Sequence, residues 1–377
     1  MGPQGTNAPL DRALARVAAD APELDRAPRF PREAFAALAA AGALTATIGA
    51  ARDGASVGPE WGLLRRVAAA DASVARILDG HLNAVERLEV TAPPELRDRE
   101  LAAVEAGRLL GVWGADPGPG EGASARLRES AHGLVLRGAK TFCSGAGGVD
   151  AAMVMVGSDD GAAPALVLLD CGEAVEVDRD WYRAAGLRAS ESHRVVFHDA
   201  PVTAVLGEPG ELARDPWFSR DAMRTAATWA GMVDAAADGA LDELAARRAE
   251  DPLARLAAGR IEAARGTIDA WTARAARVAD AALRPSAAAP TLGALLDAAQ
   301  APASRRAGDP WATSVAMRAE IDRAAKAILE AAAGACGSHP FVTAGRLDRA
   351  RRDLETFLLQ HRLDPLLARL GARELER

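Results

Sequence analysis

The sequence predicts a mostly helical α+β protein: an N-terminal helical domain, a middle antiparallel β-barrel or sandwich domain, and a C-terminal four-helix bundle. Three observations predict it. Between Gly111 and Phe197 lie short β-branched or apolar runs, Met153–Val156, Ala165–Leu169 and Val195–Phe197, separated by Gly, Pro and Asp. Such runs read as strands joined by tight turns. On both sides of this stretch apolar residues recur at helical spacing, and almost nothing there reads as strand. The 377 residues suffice for roughly two or three domains, with boundaries expected at 1–110, 111–205 and 206–377.

Leu10–Ala18 begins the chain as a short amphipathic helix. Pro31 opens the next helix and Gly42 stops it, the usual asymmetry of proline at the start and glycine past the end. Trp61–Leu78 is longer, with its apolar stripe on Leu64, Val67, Val74 and Ile77 or Leu78. Asp79-Gly-His81-Leu-Asn83 is expected to interrupt it before helix resumes towards Val90. Pro93-Pro94 opens a further helix that ends at Gly107. The β module follows, closed by Pro201, and 206–216, rich in Gly, Pro and Glu, reads as a linker.

From Trp217 the pattern is helical to the end. Helices are expected from about Phe218 to Glu250 and from about Pro252 to Leu283. Pro285, Pro290 and Pro302 make 284–309 a loop around a short helical stretch, Leu292–Ala299. Two more helices cover Trp311–Ala335 and Gly345 to about Arg362, with Pro365 ending or kinking the last. Four long helices with short connections predict an antiparallel bundle.

Composition narrows the function classes. The net charge is −7 and no basic block stands out, which argues against a nucleic-acid surface. Cys143, Cys171 and Cys336 lack CxxC spacing, so neither a disulfide framework nor a zinc site is expected. No His and carboxylate residues show metal-ligand spacing, and no metal is expected. The first residues carry no basic-then-apolar leader, and no apolar run approaches the roughly 20 residues that span a bilayer. A soluble, cytoplasmic protein with no membrane partner is expected.

Three local patterns stand out: Trp113-Gly-Ala-Asp116-Pro-Gly-Pro-Gly120, Leu136-Arg-Gly-Ala-Lys140-Thr-Phe142-Cys-Ser144-Gly, and Gly186-Leu-Arg188-Ala-Ser190 continuing to Phe197. In this order, between helical blocks, they resemble motifs of the acyl-CoA dehydrogenase superfamily of flavoproteins. The counterparts are its Thr-Glu-Pro-Gly-x-Gly turn, its Asn-Gly-x-Lys-x-Trp-Ile-Thr-Asn segment and its Gly-x-Arg-x-Ser-x-Thr-x-x-Val-x-Phe strand. The resemblance implies FAD, or alternatively FMN or reduced flavin supplied by a reductase, held between the β module and the bundle. It places Phe142, Cys143 and Ser144 along the isoalloxazine, with backbone groups and the Ser144 hydroxyl on its polar edge. Trp113, Gly114 and Ala115 would bring the turn to the pyrimidine side. A flavin is a large flat apolar surface with a few polar edge atoms, so it needs an apolar wall and fixed donors. Cys143, flanked by Phe142 and Ser144, is expected to offer its backbone and not its thiol. A small-molecule substrate and a homodimer or homotetramer are also implied.

The departures bear on mechanism. An acyl-CoA dehydrogenase removes an α-proton with a carboxylate while hydride leaves the β-carbon for the flavin. The family supplies that Glu nine residues beyond the Arg of an Arg-Asp pair in the last helix, or just before an Arg early in the bundle. Here the ninth residue beyond Arg352 is His361, and Arg224 is preceded by Met223; neither position holds an acid. Ala115 stands for the Thr that contacts the flavin, and Glu121 for the Ser that helps bind the acyl-CoA thioester arm. Glu121, Met223 and Arg224 are therefore candidate substrate contacts. His81 is a candidate pocket wall, with helix capping as the alternative. The Arg-x-x-Phe-Gly signature for the flavin pyrophosphate is missing, since the region reads Arg248-Ala-Glu-Asp-Pro252. The Gln-x-x-Gly-Gly-x-Gly segment near the adenine is reduced to Gly334-Ala-Cys-Gly337-Ser-His339-Pro. The ring half of the site is better kept than the dinucleotide half.

His361 and Ser144 are the candidate catalytic residues. An imidazole of pKa about 6.5 is a competent acid or base at neutral pH, and His361 shares a face with Phe357 and Leu358. Some flavin monooxygenases of this fold use such a His and a hydroxyl beside the flavin; the alternative is a hydrogen-bonded core histidine. His193 and His198 are expected on an exposed strand face, and His132 and His339 in turns. Glu208, Glu211, Asp215 and the Arg247-Arg248 pair read as solvated surface. Three readings follow. The first is a flavin oxidoreductase acting on a CH–CH bond of an acyl or acyl-like substrate. The second is a reduced-flavin, oxygen-dependent monooxygenase, and the third a catalytically silent binding protein.

Overall fold

A computed structural model describes residues 8–157, 162–283 and 308–376, with the side chains of Leu212, Arg247 and Arg248 excepted. The loop and short helix expected within 284–309 fall almost wholly outside the described residues, as do the side chains of the Arg247-Arg248 pair. Two compact units form, residues 1–53 with 66–214 and residues 54–65 with 215–377. Among the described residues no helix is long and apolar enough to cross a membrane.

The first unit opens with α1 (Ala8–Arg26) and α2 (Arg32–Ala40). Helix α1 runs well past Ala18, through Pro22, because Val17, Ala21 and Leu24 continue its buried stripe. Helix α3 (Gly58–Ala70) is followed directly by α4 (Ala72–Thr91) and then by α5 (Pro94–Glu105). The single helix expected over 61–78 is in fact broken at Asp71, whose carboxylate accepts the Val74 N–H at 2.8 Å and caps α4. The interruption expected at 79–83 is absent. Asp79, His81 and Leu82 are all buried, and that packing outweighs the roughly 1 kcal/mol that Gly80 costs inside a helix.

Eight strands follow: β1 (Leu110–Trp113), β2 (Arg126–Ser130), β3 (Gly133–Cys143), β4 (Ala151–Val156), β5 (Ala165–Asp170), β6 (Val175–Asp178), β7 (His193–Pro201) and β8 (Ala204–Leu206). They form two four-stranded sheets, ordered β1-β4-β5-β8 and β2-β3-β7-β6. All pairings are antiparallel except β1 with β4, a parallel pair that the expected all-antiparallel module did not include. The excursion through β2 and β3 returns the chain to β1 in the same direction. Strand β8 carries the module past Pro201. Leu110, Met153, Leu166, Leu168 and Leu206 of the first sheet pack with Val85, Leu88 and Leu101 of α4 and α5 as one core.

Strand β3 slips register twice against β7, between Leu136 and Gly138 and between Lys140 and Cys143. At the first slip φ is +112° at Gly138, and a Cβ there would lie 2.5 Å from the Ser124 carbonyl oxygen, so only glycine fits. At the second, Phe142 takes φ +51° without being a glycine, a conformation that surrounding structure must impose.

The second unit holds α6 (Trp217–Arg248), α7 (Pro252–Leu283), α8 (Pro310–Cys336), α9 (His339–Val342), α10 (Arg346–Leu358) and α11 (Leu363–Leu375). Helix α8 packs on α6 and α7, and α10 lies on α6. Buried alanines at 226, 227, 230, 236, 237 and 240 let helices approach α6 closely. Asp309 caps α8, accepting the Ala312 N–H at 3.1 Å. Helix α10 stops at Leu358, short of the expected Arg362, so His361 lies in the connection to α11. Pro365 neither ends nor kinks a helix. It sits in the first turn of α11, where a missing N–H costs no intrahelical bond.

Candidate functional site

In the first unit the second slip of β3 turns Phe142 outward. Phe142 is 58% exposed, whereas Thr141 and Cys143 beside it are buried. The Trp181 ring meets its edge at 4.9 Å and 83°. Trp181 is itself held: its Nε1 donates to Glu121 Oε1 at 2.9 Å, and the other Glu121 oxygen accepts the Gly118 N–H at 2.8 Å. The Gly118 amide and then the Trp181 indole hold the Glu121 carboxyl below the usual carboxylate range. Glu121 thus closes a turn and fixes Trp181.

Behind Phe142, Trp113 is fully buried, and its Nε1 donates to the Ser144 carbonyl at 3.1 Å. The Ser144 hydroxyl lies 2.9 Å from that of Ser192, which lies 2.7 Å from that of Ser190, a short chain of buried hydroxyls. The 114–116 turn is bound back to β3. Lys140 Nζ donates to the Gly114 carbonyl at 3.1 Å and to Asp116 at 2.8 Å, and the Thr141 N–H donates to the Ala115 carbonyl at 3.0 Å. Lys140 is only 1% exposed, so it locks the turn from inside. Burial pushes the Cys143 thiol well above its ordinary pKa, so the sulfur stays a protonated thiol inside the core. Trp113, Gly114, Ala115, Phe142, Cys143 and Ser144 are thereby brought together, with Glu121 joined to them through Trp181.

His81 belongs elsewhere. It is buried within α4, with its Nε2 2.9 Å from the Leu44 carbonyl and its Nδ1 accepting the Leu110 N–H at 3.1 Å. Burial drives its pKa down to about 4. It is a neutral pin joining three segments of the core, neither a pocket wall nor a cap. His198 is exposed and pairs with Glu176 at 2.7 Å, but His193, expected outside, is buried, 3.5 Å from Glu191. His193 and Glu191 line a cavity of about 410 Å³ with Tyr182, Arg179 and Arg188. His339 starts α9 and does not lie in a turn.

In the second unit, Met223 is fully buried, and Arg224 is ion-paired with Glu60 and, at 2.6 Å, with Asp221. Arg220 lies 3.5 Å from the same Glu60. Arg224 is therefore engaged within its own unit and is not a free contact for substrate. His361 is half-buried, its ring 5.3 Å from Trp229 at 68°. Arg318 Nη1 lies 3.2 Å from His361 Nδ1, and Arg318 Nε donates to the Ser314 carbonyl at 3.0 Å. Burial lowers the Arg318 pKa to about 10. Sequence reasoning missed Trp181 and Arg318. The signal for Arg318 was present: it falls on the stripe Ser314, Ile321 and Ala325, the buried face of α8.

No family model matches the chain. Amino sugar nitrososynthase RubN8 of Streptomyces rubradiris is 30% identical over 267 residues, 65% of this chain and 62% of the relative. The match thus spans less than two thirds of that relative's length. Among solved structures, FMN-bound TdsC of Paenibacillus sp. A11-2, a dibenzothiophene monooxygenase, superposes with a TM-score of 0.82 at 19% identity, covering 97% of this chain and 96% of that one. A nitrososynthase from Micromonospora carbonacea var. africana superposes with a TM-score of 0.78 at 21% identity, covering 98% and 97%. The architecture is that of the acyl-CoA dehydrogenase-like fold.

Proposed function

We propose that this protein is a flavin-dependent monooxygenase that uses reduced flavin, FMN in preference to FAD, and molecular oxygen to oxidise a small substrate. One observation carries the choice over dehydrogenation. Neither place where the resemblance would put a catalytic carboxylate holds one: Met223 is buried, and His361 has a guanidinium at its Nδ1. The likeness to a nitrososynthase and to a dibenzothiophene monooxygenase supports the same side.

The residues present suit a flavin ring. Phe142 offers an exposed aromatic face braced by Trp181, and Ser144 a hydroxyl beside it. FMN is preferred because the pyrophosphate signature is missing from the sequence and the adenine-side segment is reduced. Reduced flavin, when bound, would supply two electrons to oxygen, one atom of which enters the substrate while the other leaves as water. The chain's part is to orient the ring with Phe142 and Trp181, to fix Trp181 with Glu121, and to set polar groups at the ring's edge. The relatives' names point to an amino sugar and a sulfur heterocycle, so a nitrogen or sulfur atom is the proposed site of oxidation.

An anaerobic titration with oxidised and with reduced FMN and FAD, followed by oxygen-uptake measurement, tests this. Tighter binding of reduced FMN and oxygen uptake on mixing are expected. Tightly held oxidised FAD that bleaches anaerobically with an acyl-CoA would restore the CH–CH reading. No binding in either redox state would leave a binding protein.

A further inference from the structure

Arg318 has almost no access to solvent, at 5% exposure. Its guanidinium meets the Ser314 carbonyl one helical turn back and His361 Nδ1, and among the described residues no carboxylate lies within ion-pair distance. A buried cation without a counterion is costly, and an apolar side chain of similar length would fill the same space. The contact with His361 suggests what holds Arg318 there. A guanidinium carries five N–H donors and no acceptor. At 3.2 Å the direction is therefore fixed: Arg318 donates and His361 Nδ1 accepts. With one proton on a neutral imidazole, that proton must sit on Nε2.

We infer that Arg318 is a positioning residue that holds His361 as the neutral Nε2–H tautomer, making it a hydrogen-bond donor and not a base. The ring's one lone pair in its plane is committed to Arg318. Moving the proton to Nδ1 would set N–H against N–H, and adding a second proton would place two cations 3.2 Å apart in a buried setting. Trp229, packed at 5.3 Å, fixes the ring plane, and the Ser314 carbonyl anchors the guanidinium. Such a His cannot take an α-proton from an acyl substrate. It can hold an oxygen acceptor by a hydrogen bond without transferring a proton, and this functional half rests on the oxygenation proposed above.

Long-range ¹H–¹⁵N correlation spectra of the full-length, ¹⁵N-labelled protein, with His361 assigned by its loss in His361→Gln, read the tautomer without any flavin. The wild type at neutral pH is expected to show Nε2–H. Arg318→Met is expected to give a tautomer mixture or an imidazolium, and Arg318→Lys, which keeps a cationic donor, to restore Nε2–H. A merely structural Arg318 would leave the tautomer unchanged in Arg318→Met, and that result overturns the inference. So does an Nδ1–H ring or an imidazolium in the wild type, which is measurable even where a variant fails to fold. With reduced FMN and oxygen, Arg318→Met is expected to release at least tenfold more hydrogen peroxide per substrate oxidised, with FMN affinity changed less than twofold. An unchanged ratio overturns the functional half. An Nε2–H ring in a protein that takes up no reduced flavin overturns the oxygenation and leaves the tautomer assignment standing.

Discussion

Arg224 and Arg318 lie inside the same helical unit, both closed to solvent, and they keep opposite company. Arg224 is 0% exposed and meets Glu60 and Asp221, while Arg220 shares Glu60 from the next turn of α6. Charge is met by charge, and the result is a link between the start of α3 and the start of α6. Arg318 meets a backbone carbonyl and an imidazole. The first arrangement is what a fold needs when it buries a cation. The second leaves a cation with no counterion among the described residues, and the proposed gain is what Arg318 does to His361.

The two surroundings predict different costs. Glu60→Ala removes the acid that two buried guanidinium groups share, leaving Arg224 with Asp221, and should lower unfolding stability by about 3–5 kcal/mol in urea titrations. A loss below about 1 kcal/mol would mean that the pairs are easily replaced. The neutral counterpart in the other unit, His81, should show its cost as pH falls. Its pKa of about 4 in the fold lies below the usual His value of about 6.5, so the unfolded chain binds the proton first. Stability present above pH 6.5 should decline by about 3 kcal/mol as pH falls to about 4. In His81→Gln this portion of the slope should vanish; urea midpoints at several pH values read both.

The exposed wall sits between these extremes. Phe142→Ala should weaken FMN binding by about 1 kcal/mol, a several-fold rise in Kd, while changing unfolding stability little, because the ring is half in solvent. Equal losses in both would make Phe142 a packing residue. The smallest effect is expected for Arg318→Met. Removing a buried cation that has no acid to pair with should change stability by less than about 1 kcal/mol in either direction. A loss as large as that of Glu60→Ala would erase the distinction between the two arginines.

Much of this architecture was legible in the chain. Pro31, Gly42, Pro94 and Gly107 marked helix ends through backbone chemistry alone, and the structure keeps all four at helix ends. Asp71 was equally readable as a cap, but Gly80 drew attention to the wrong place, because glycine propensity is a weak signal against burial. The parallel pairing of β1 with β4 was not legible, since strand partners are chosen by long-range packing and not by local pattern. In the site, Phe142, Ser144 and the 114–115 turn came from motif resemblance. Trp181 did not, because it lies in a segment between strands and joins Phe142 only through the fold. Arg318 stands on a buried helical stripe that the spacing shows, but its pairing with His361 shows only in the fold.

The most direct test of the proposed activity follows the oxygen. Purified protein, reduced FMN, ¹⁸O₂ and a panel of amine and sulfur compounds should yield a product carrying one ¹⁸O atom by mass spectrometry. A product without the label, or a desaturated acyl-CoA formed in the absence of oxygen, would contradict the account.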